Sequence, residues 1–265
     1  MTPAARLQAA AEILDQIAAG RAPAEAVLKS WGAAHRYAGS KDRRAIADRV
    51  YLCLRQRARL AWAGGGEDGR TLVLLSLALS DGLEPPEIEA LYSGQGYGPA
   101  SLSEAERARL TAPPGEPPAW VAAGLPAFAA DDLRAQYGEG WPVEAEALLR
   151  PRAPIDLRVN GALASRIAVL AELHAEGLAA EPAPYSAWGL RLPSEPPPNV
   201  QKLAAFREGR LEIQDEGSQL AAWLAGTGEL VVDYCAGGGG KTLALRQSAP
   251  AARLVACDVE PKRLE

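Results

Sequence analysis

The chain has 265 residues, a formal charge of −5, three cysteines and two histidines, a length that allows two or three small domains, each burying its own core. The net charge excludes a protein that is basic throughout. Cys53, Cys235 and Cys257 are spaced for neither a disulfide framework nor a zinc site, and the sequence shows no secretory leader and no long uninterrupted apolar run. The expected setting is therefore cytoplasmic, with neither membrane nor metal.

The first elements are helical. Thr2 followed by Pro3 is a cap with a first-turn proline, and Leu7, Ala11, Leu14 and Ala18 recur at helical spacing up to Gly20. A second helix starts at Pro23. After Ser40 the run KDRRAIADRVYLCLRQRARLAW puts Ile46, Val50, Cys53 and Leu54 on one face among arginines. RTLVLLSLALSDG, PPEIEALYSG and, behind a serine cap, SLSEAERARL carry the helical pattern on to about residue 110. TAPPGEPPAW reads as a linker, and a further helical stretch covers roughly 128 to 150. Charge is polarised along this part: Lys29 to Arg59 is basic and Asp81 to Glu146 acidic.

The period then changes. Ile155, Leu157 and Val159 alternate in IDLRVN, which predicts a strand; SRIAVLAELHAEG predicts a helix, WGLRLP a strand, NVQKLAAFREG a helix and RLEIQD a strand. This is a small α+β unit. Helix GSQLAAWLA, strand LVVDYC, a glycine loop, helix KTLALRQSA and strand RLVACDV follow. Both strands are nearly continuous apolar runs, the pattern of a parallel sheet covered on both faces. Two such strands cannot complete a doubly wound sheet, so the segment reads as the opening of a larger domain.

The loop CAGGGGKT could cradle phosphates or lie against an adenosine cofactor. A phosphate-binding P-loop needs glycine five positions before Gly240, where the chain has Cys235. An adenosine-ribose cofactor needs a glycine turn after one strand and a carboxylate after the next, and Asp258 stands at the end of the second strand. That geometry fits a nicotinamide dinucleotide and S-adenosylmethionine equally.

Resemblance separates the two. QDEGSQLAA at 214–222, DYCAGGGGKT at 233–242 and ACDVEPKRL at 256–264, in that order, resemble the RNA 5-methylcytosine methyltransferases of the Sun/Fmu and nucleolar Nop2 family. In that family a Gln-Asp-x-x-Ser segment leads into an Asp-x-Cys-Ala-Ala-Pro-Gly-Gly-Lys-Thr loop. IDLRVN and the stretch to Gln219 resemble the family's RNA-recognition-like domain, and SKDRRAIADRVYLCLRQRARLAW is similar to its NusB-like helical domain. The implied organisation is multidomain: an all-α NusB-like region (1–112), a linker and helical connector (113–151), an α+β RNA-recognition-like domain (152–213) and an incomplete Rossmann-like class I methyltransferase domain (214–265).

The resemblance also implies roles. Cys235, Ala236, Gly237, Gly238, Gly239, Gly240 and Lys241 would wrap S-adenosylmethionine, Asp258 would accept from its ribose hydroxyls, and Arg263 would stand beside them. Gly237-Gly238 replaces the family's Ala-Pro, keeping close backbone approach while losing proline's fixed dihedral. Arg43, Arg44, Arg55 and Arg57 offer forked donors to RNA phosphates or form a solvated helix face. Arg158 and Asn160 either reach RNA from a sheet face or build a structural network between domains. Gln214, Asp215 and Ser218 read as candidate caps of the helix that follows, capping being the whole account of Ser218, and Cys53 and Cys257 as small core residues.

In the family's chemistry a cysteine thiolate adds to C6 of cytosine, so that C5 can attack the cofactor's methyl group, and loss of the C5 proton expels the cysteine. The base has to be unstacked first. The family's Asp-Ala-Pro-Cys and Thr-Cys-Ser motifs have no match in these 265 residues, so no catalytic residue is assigned and the chain by itself is expected to be inactive. The expectation is an S-adenosylmethionine-dependent rRNA cytosine-C5 methyltransferase acting on 16S rRNA, present as a fragment. The alternative is a non-catalytic RNA-binding or ribosome-assembly protein whose cofactor half is vestigial.

Overall fold

The computed structural model of the chain describes residues 1–111, 115–149, 153–193, 198–226 and 228–264. The core of the expected linker, the expected junctions at 112–113 and 151–152, and the SEPP segment at 194–197 lie outside the described residues. The chain forms two units, Met1–Pro151 and Arg152–Glu265.

The first unit is helical throughout its described residues: α1 (Pro3–Ala19), α2 (Ala24–Ala34), α3 (Ser40–Arg55), α4 (Arg57–Gly64), α5 (Gly69–Leu79), α6 (Pro85–Leu91), α7 (Glu104–Thr111), α8 (Ala119–Ala122), α9 (Ala127–Tyr137) and α10 (Trp141–Leu148). Local chemistry sets several starts. Thr2 Oγ1 accepts from the Ala5 N–H, Asp68 from Thr71, and Ser103 exchanges bonds with Glu106 in a capping box. Ile13, Ile46, Leu60, Leu74 and Ile88 meet in the main core, and Leu125, Ala130, Trp141 and Ala145 form a second one. The α1–α5 crossing is close: a Cβ on Gly69 would lie 2.0 Å from the Ala11 carbonyl oxygen, and the Gly69 N–H donates to Asp15 Oδ1 at 2.6 Å. The single helix expected after Ser40 is instead two, broken at Gln56 (φ −104°, ψ 13°). The apolar pattern hides this break, because Cys53 and Leu60 both reach the core from either side of it.

The second unit contains β1 (Ile155–Val159), α11 (Arg166–Ala175), β2 (Glu181–Pro182), β3 (Gly189–Leu192), α12 (Ala204–Arg207), β4 (Leu211–Ile213), α13 (Glu216–Leu224), β5 (Leu230–Asp233), α14 (Gly240–Ser248) and β6 (Arg253–Ala256). The first four strands make an antiparallel sheet in the order β2-β3-β1-β4, with Leu157 opposite Leu190 and Ile213. Leu157 and Val159 pack with Leu173, Leu190 and Leu211. Their neighbours Asp156 and Arg158 point to the opposite side of the pleat and are buried as well.

NVQKLAAFREG is not the continuous helix its composition suggests. A 3-10 turn at Val200–Lys202 and the one-turn α12 flank Leu203, which is extended (φ −65°, ψ 139°). That kink lets Val200, Leu203 and Ala205 all reach the sheet core. The very short β2 gave no sequence signal. β5 and β6 pair in parallel, Val232 opposite Val255, but they are covered on one face only. Val231 and Leu254 pack on Ala222, Ala244 and Leu245, whereas Leu230 and Val232 are 57% and 51% exposed.

Candidate cofactor site

Because β5 and β6 run side by side in the same direction, the segments leaving their C-terminal ends meet. The Cys257 N–H donates to the Asp233 carbonyl and the Ala236 N–H to the Cys257 carbonyl, each at 2.8 Å. The Gly237 N–H donates to Asp258 Oδ2, also at 2.8 Å. Gly237 and Gly239 have φ of +54° and +82°, in the left-handed region that glycine enters without a Cβ penalty. Among the described residues no heavy atom lies within 4 Å of where a Cβ on Gly238 or Gly239 would stand, so the loop keeps open space beside its backbone. That space lies at the N-terminus of α14, where helix N–H groups favour an electron-rich partner.

The loop is also tied from outside. Thr242 Oγ1 donates to Asp233 Oδ2 at 2.6 Å, and Gln214 Nε2 donates to the Gly240 carbonyl at 3.0 Å. Cys235 and Lys241 are exposed, while Ala236 is buried. Arg263 lies against the loop: its Nη2 would be 2.6 Å from a Cβ on Gly237, and its Nη1 is 3.8 Å from Asp258 Oδ2.

Asp258 is where the sequence places it, but its carboxylate faces the protein. Oδ2 accepts from Gly237 and Oδ1 from the Glu260 N–H at 3.0 Å, and the side chain is 4% exposed. The Glu260 and Gly237 amides hold its pKa below the ordinary aspartate value. In this arrangement it buttresses the loop; it does not present a free face to a ribose.

The residues expected to meet RNA are placed unevenly. Arg55 is exposed on the last turn of α3. Arg43 Nε donates to the Ala38 carbonyl, Arg44 pairs with Asp48, and Arg57 pairs with Glu67 at 2.6 Å. Arg158 is a correction. It is 2% exposed, because the sheet face that carries it is covered by the chain entering α13 and by α14. Its three nitrogens donate to Gln214, Gln247 and Glu212, so it belongs to a structural network and does not lie on an RNA-facing surface. Asn160 closes the turn after β1, donating to the Gly209 carbonyl and accepting from the Ala162 N–H.

Sequence reading missed most of this network. Arg191 pairs with Asp156 and Glu216, Glu216 Oε1 accepts from the Tyr185 and Ser186 amides, and Gln219 Oε1 accepts from Ser186 Oγ. The available signal was the alternation of Asp156 and Arg158 with leucine and valine in β1, together with five polar side chains packed into QDEGSQ. Of the three candidate caps, Asp215 is the one that caps α13, accepting from the Ser218 N–H, and Ser218 is not. Cys53 is a core residue whose thiol burial pushes up to about 11. Among the described residues no group of three metal-ligating side chains occurs, and no helix is long and apolar enough to cross a membrane.

Residues 125–199 match the profile of the methyltransferase RsmF/B-like, ferredoxin-like domain. Ribosomal RNA small subunit methyltransferase B of Escherichia coli is 38% identical over 141 residues, covering 52% of this chain and 32% of the relative. The protein of the same name from Pseudomonas putida is 37% identical over 153 residues, 56% of this chain and 32% of the relative. The match thus spans about a third of these relatives' length. Among solved structures, the crystal structure of PH0851 covers 100% of this chain and 65% of its own, with a TM-score of 0.67 at 17% identity, a likeness of fold.

Proposed function

We propose that the chain, which is similar in sequence to ribosomal RNA small subunit methyltransferase B and matches the RsmF/B-like ferredoxin-like domain over residues 125–199, is the RNA-binding and cofactor-binding portion of an S-adenosylmethionine-dependent methyltransferase that modifies C5 of a cytosine in small-subunit rRNA. The observation that carries this reading is the glycine loop between two parallel strands, open at Gly238 and Gly239 and stapled at Gly237 to Asp258. The residues fit the methionine end of such a cofactor. Bare backbone lines the open space, α14 begins at its edge, and the loop is braced from behind. Bound there, the cofactor supplies an electrophilic methyl group on a positively charged sulfur.

What the chain's own residues do is hold and orient. Asp258 fixes the Gly237 amide, Thr242 and Asp233 fix the entry to α14, and Gln214 fixes its first carbonyl. The ribose contact assigned to Asp258 from the sequence becomes indirect in this reading: the carboxylate shapes the loop that meets the ligand. The NusB-like helical unit offers Arg55 and its basic neighbours on α3 and α4 to phosphates, and the last segment supplies a Rossmann-like strand–loop–helix–strand. The family's two cysteine motifs have no counterpart in this chain, so we expect S-adenosylmethionine and rRNA to be bound without methyl transfer. The check is incubation with small-subunit rRNA and methyl-labelled cofactor; label incorporated into RNA by the purified chain would refute the assignment of the nucleophile to missing motifs.

A further inference from the structure

We infer that Arg158 is a positioning residue for the glycine loop, acting through the amide of Gln214. The inference rests on the reading of that loop as a cofactor cradle. Arg158 Nε donates to Gln214 Oε1 at 2.7 Å, and Gln214 Nε2 donates to the Gly240 carbonyl at 3.0 Å. A guanidinium has donors and no acceptor, whereas a primary amide has one end of each kind. Arg158 therefore dictates which end of Gln214 faces it, and the amide's NH₂ is left pointing at Gly240, where the loop becomes α14.

The same arginine holds α14 further along. Nη1 donates to Gln247 Oε1 at 2.9 Å, in the last turn of the helix, while Nη2 is paired with Glu212 Oε2. The Gln247 Nε2 group is buried with no acceptor among the described residues. An unsatisfied buried donor is costly, so this amide's orientation is imposed by its contact with Arg158 and not by any partner of its own NH₂. One buried side chain of β1 thus fixes α14 near both ends. The loop needs such bracing: four consecutive glycines lose more backbone freedom on ordering than other residues would.

The test uses the 265-residue chain and the variants Arg158→Met, Gln214→Leu, the double variant and Arg158→Lys. Calorimetry with S-adenosylhomocysteine gives affinity, amide hydrogen exchange over 237–240 gives loop order, and thermal melting gives fold. Each single substitution is expected to weaken binding about tenfold, the loss of one charge-assisted link, and to speed exchange in the loop. The double variant is expected to lose less than the product of the two, because both break one chain of bonds. Arg158→Lys, with one ammonium in place of a fork, should fall between wild type and Arg158→Met. Wild-type affinity and exchange in folded variants, or fully multiplicative losses, would overturn the inference. Should Arg158→Met fail to fold, Gln214→Leu carries the test, since it leaves the Arg158–Glu212 pair in place. A wild-type chain that binds no S-adenosylhomocysteine contradicts the cofactor reading, and the exchange data then decide the brace alone.

Discussion

Gly237 has a left-handed φ of +54°, which strains any residue that carries a Cβ, while the neighbouring Arg263 guanidinium is exposed and free to move aside. Gly237→Ala is expected to cost about 1 kcal/mol of loop order and to weaken S-adenosylhomocysteine binding severalfold while leaving the helical unit's denaturation unchanged. Calorimetry and urea titration of the variant check this. Asp258 carries a pH dependence. Its folded pKa is lowered by the Glu260 and Gly237 amides, so its contribution is complete above the unfolded value of about 4 and is lost as pH falls through the lower folded value. The Gly237 amide resonance should therefore hold steady from neutral pH to about 4 and shift only below it; Asp258→Asn should show no such transition. At this scale the sequence placed Asp258 after one strand and the glycines after its neighbour, and the fold joins them through the Gly237 N–H. It did not reveal which way the carboxylate faces, because that is set by amides of the loop and of residue 260 and by no side-chain pattern.

Among elements, caps and periodicity were readable where one local rule governs. Thr2 before α1 and the serine before α7, Ser103, both accept as their types predict. The misreadings arise where tertiary packing overrides local pattern: the break at Gln56, the kink at Leu203 and the burial of Arg158 on a strand face that composition marks as polar. The α1–α5 crossing is a further case, since only the packed structure shows why residue 69 must lack a Cβ. Gly69→Ala would drive a methyl group into the Ala11 carbonyl and is expected to destabilise the helical unit by about 3 kcal/mol. A urea midpoint within error of wild type would refute that close packing.

For the whole chain, the helical first part, the small antiparallel sheet and the final strand–loop–helix–strand are each visible in the sequence as changes of hydrophobic period. The polar layer between β1 and the glycine loop is not, because it joins residues from Asp156 to Gln247 that only folding brings together. That layer joins the sheet to the glycine-loop segment, and both lie in the unit Arg152–Glu265. The most direct test of the account is competition binding to the intact chain: S-adenosylhomocysteine and S-adenosylmethionine titrated against NADH. The account predicts saturable binding of the two sulfur compounds at one site, with no displacement by NADH; absence of binding, or preference for the nicotinamide dinucleotide, would contradict it.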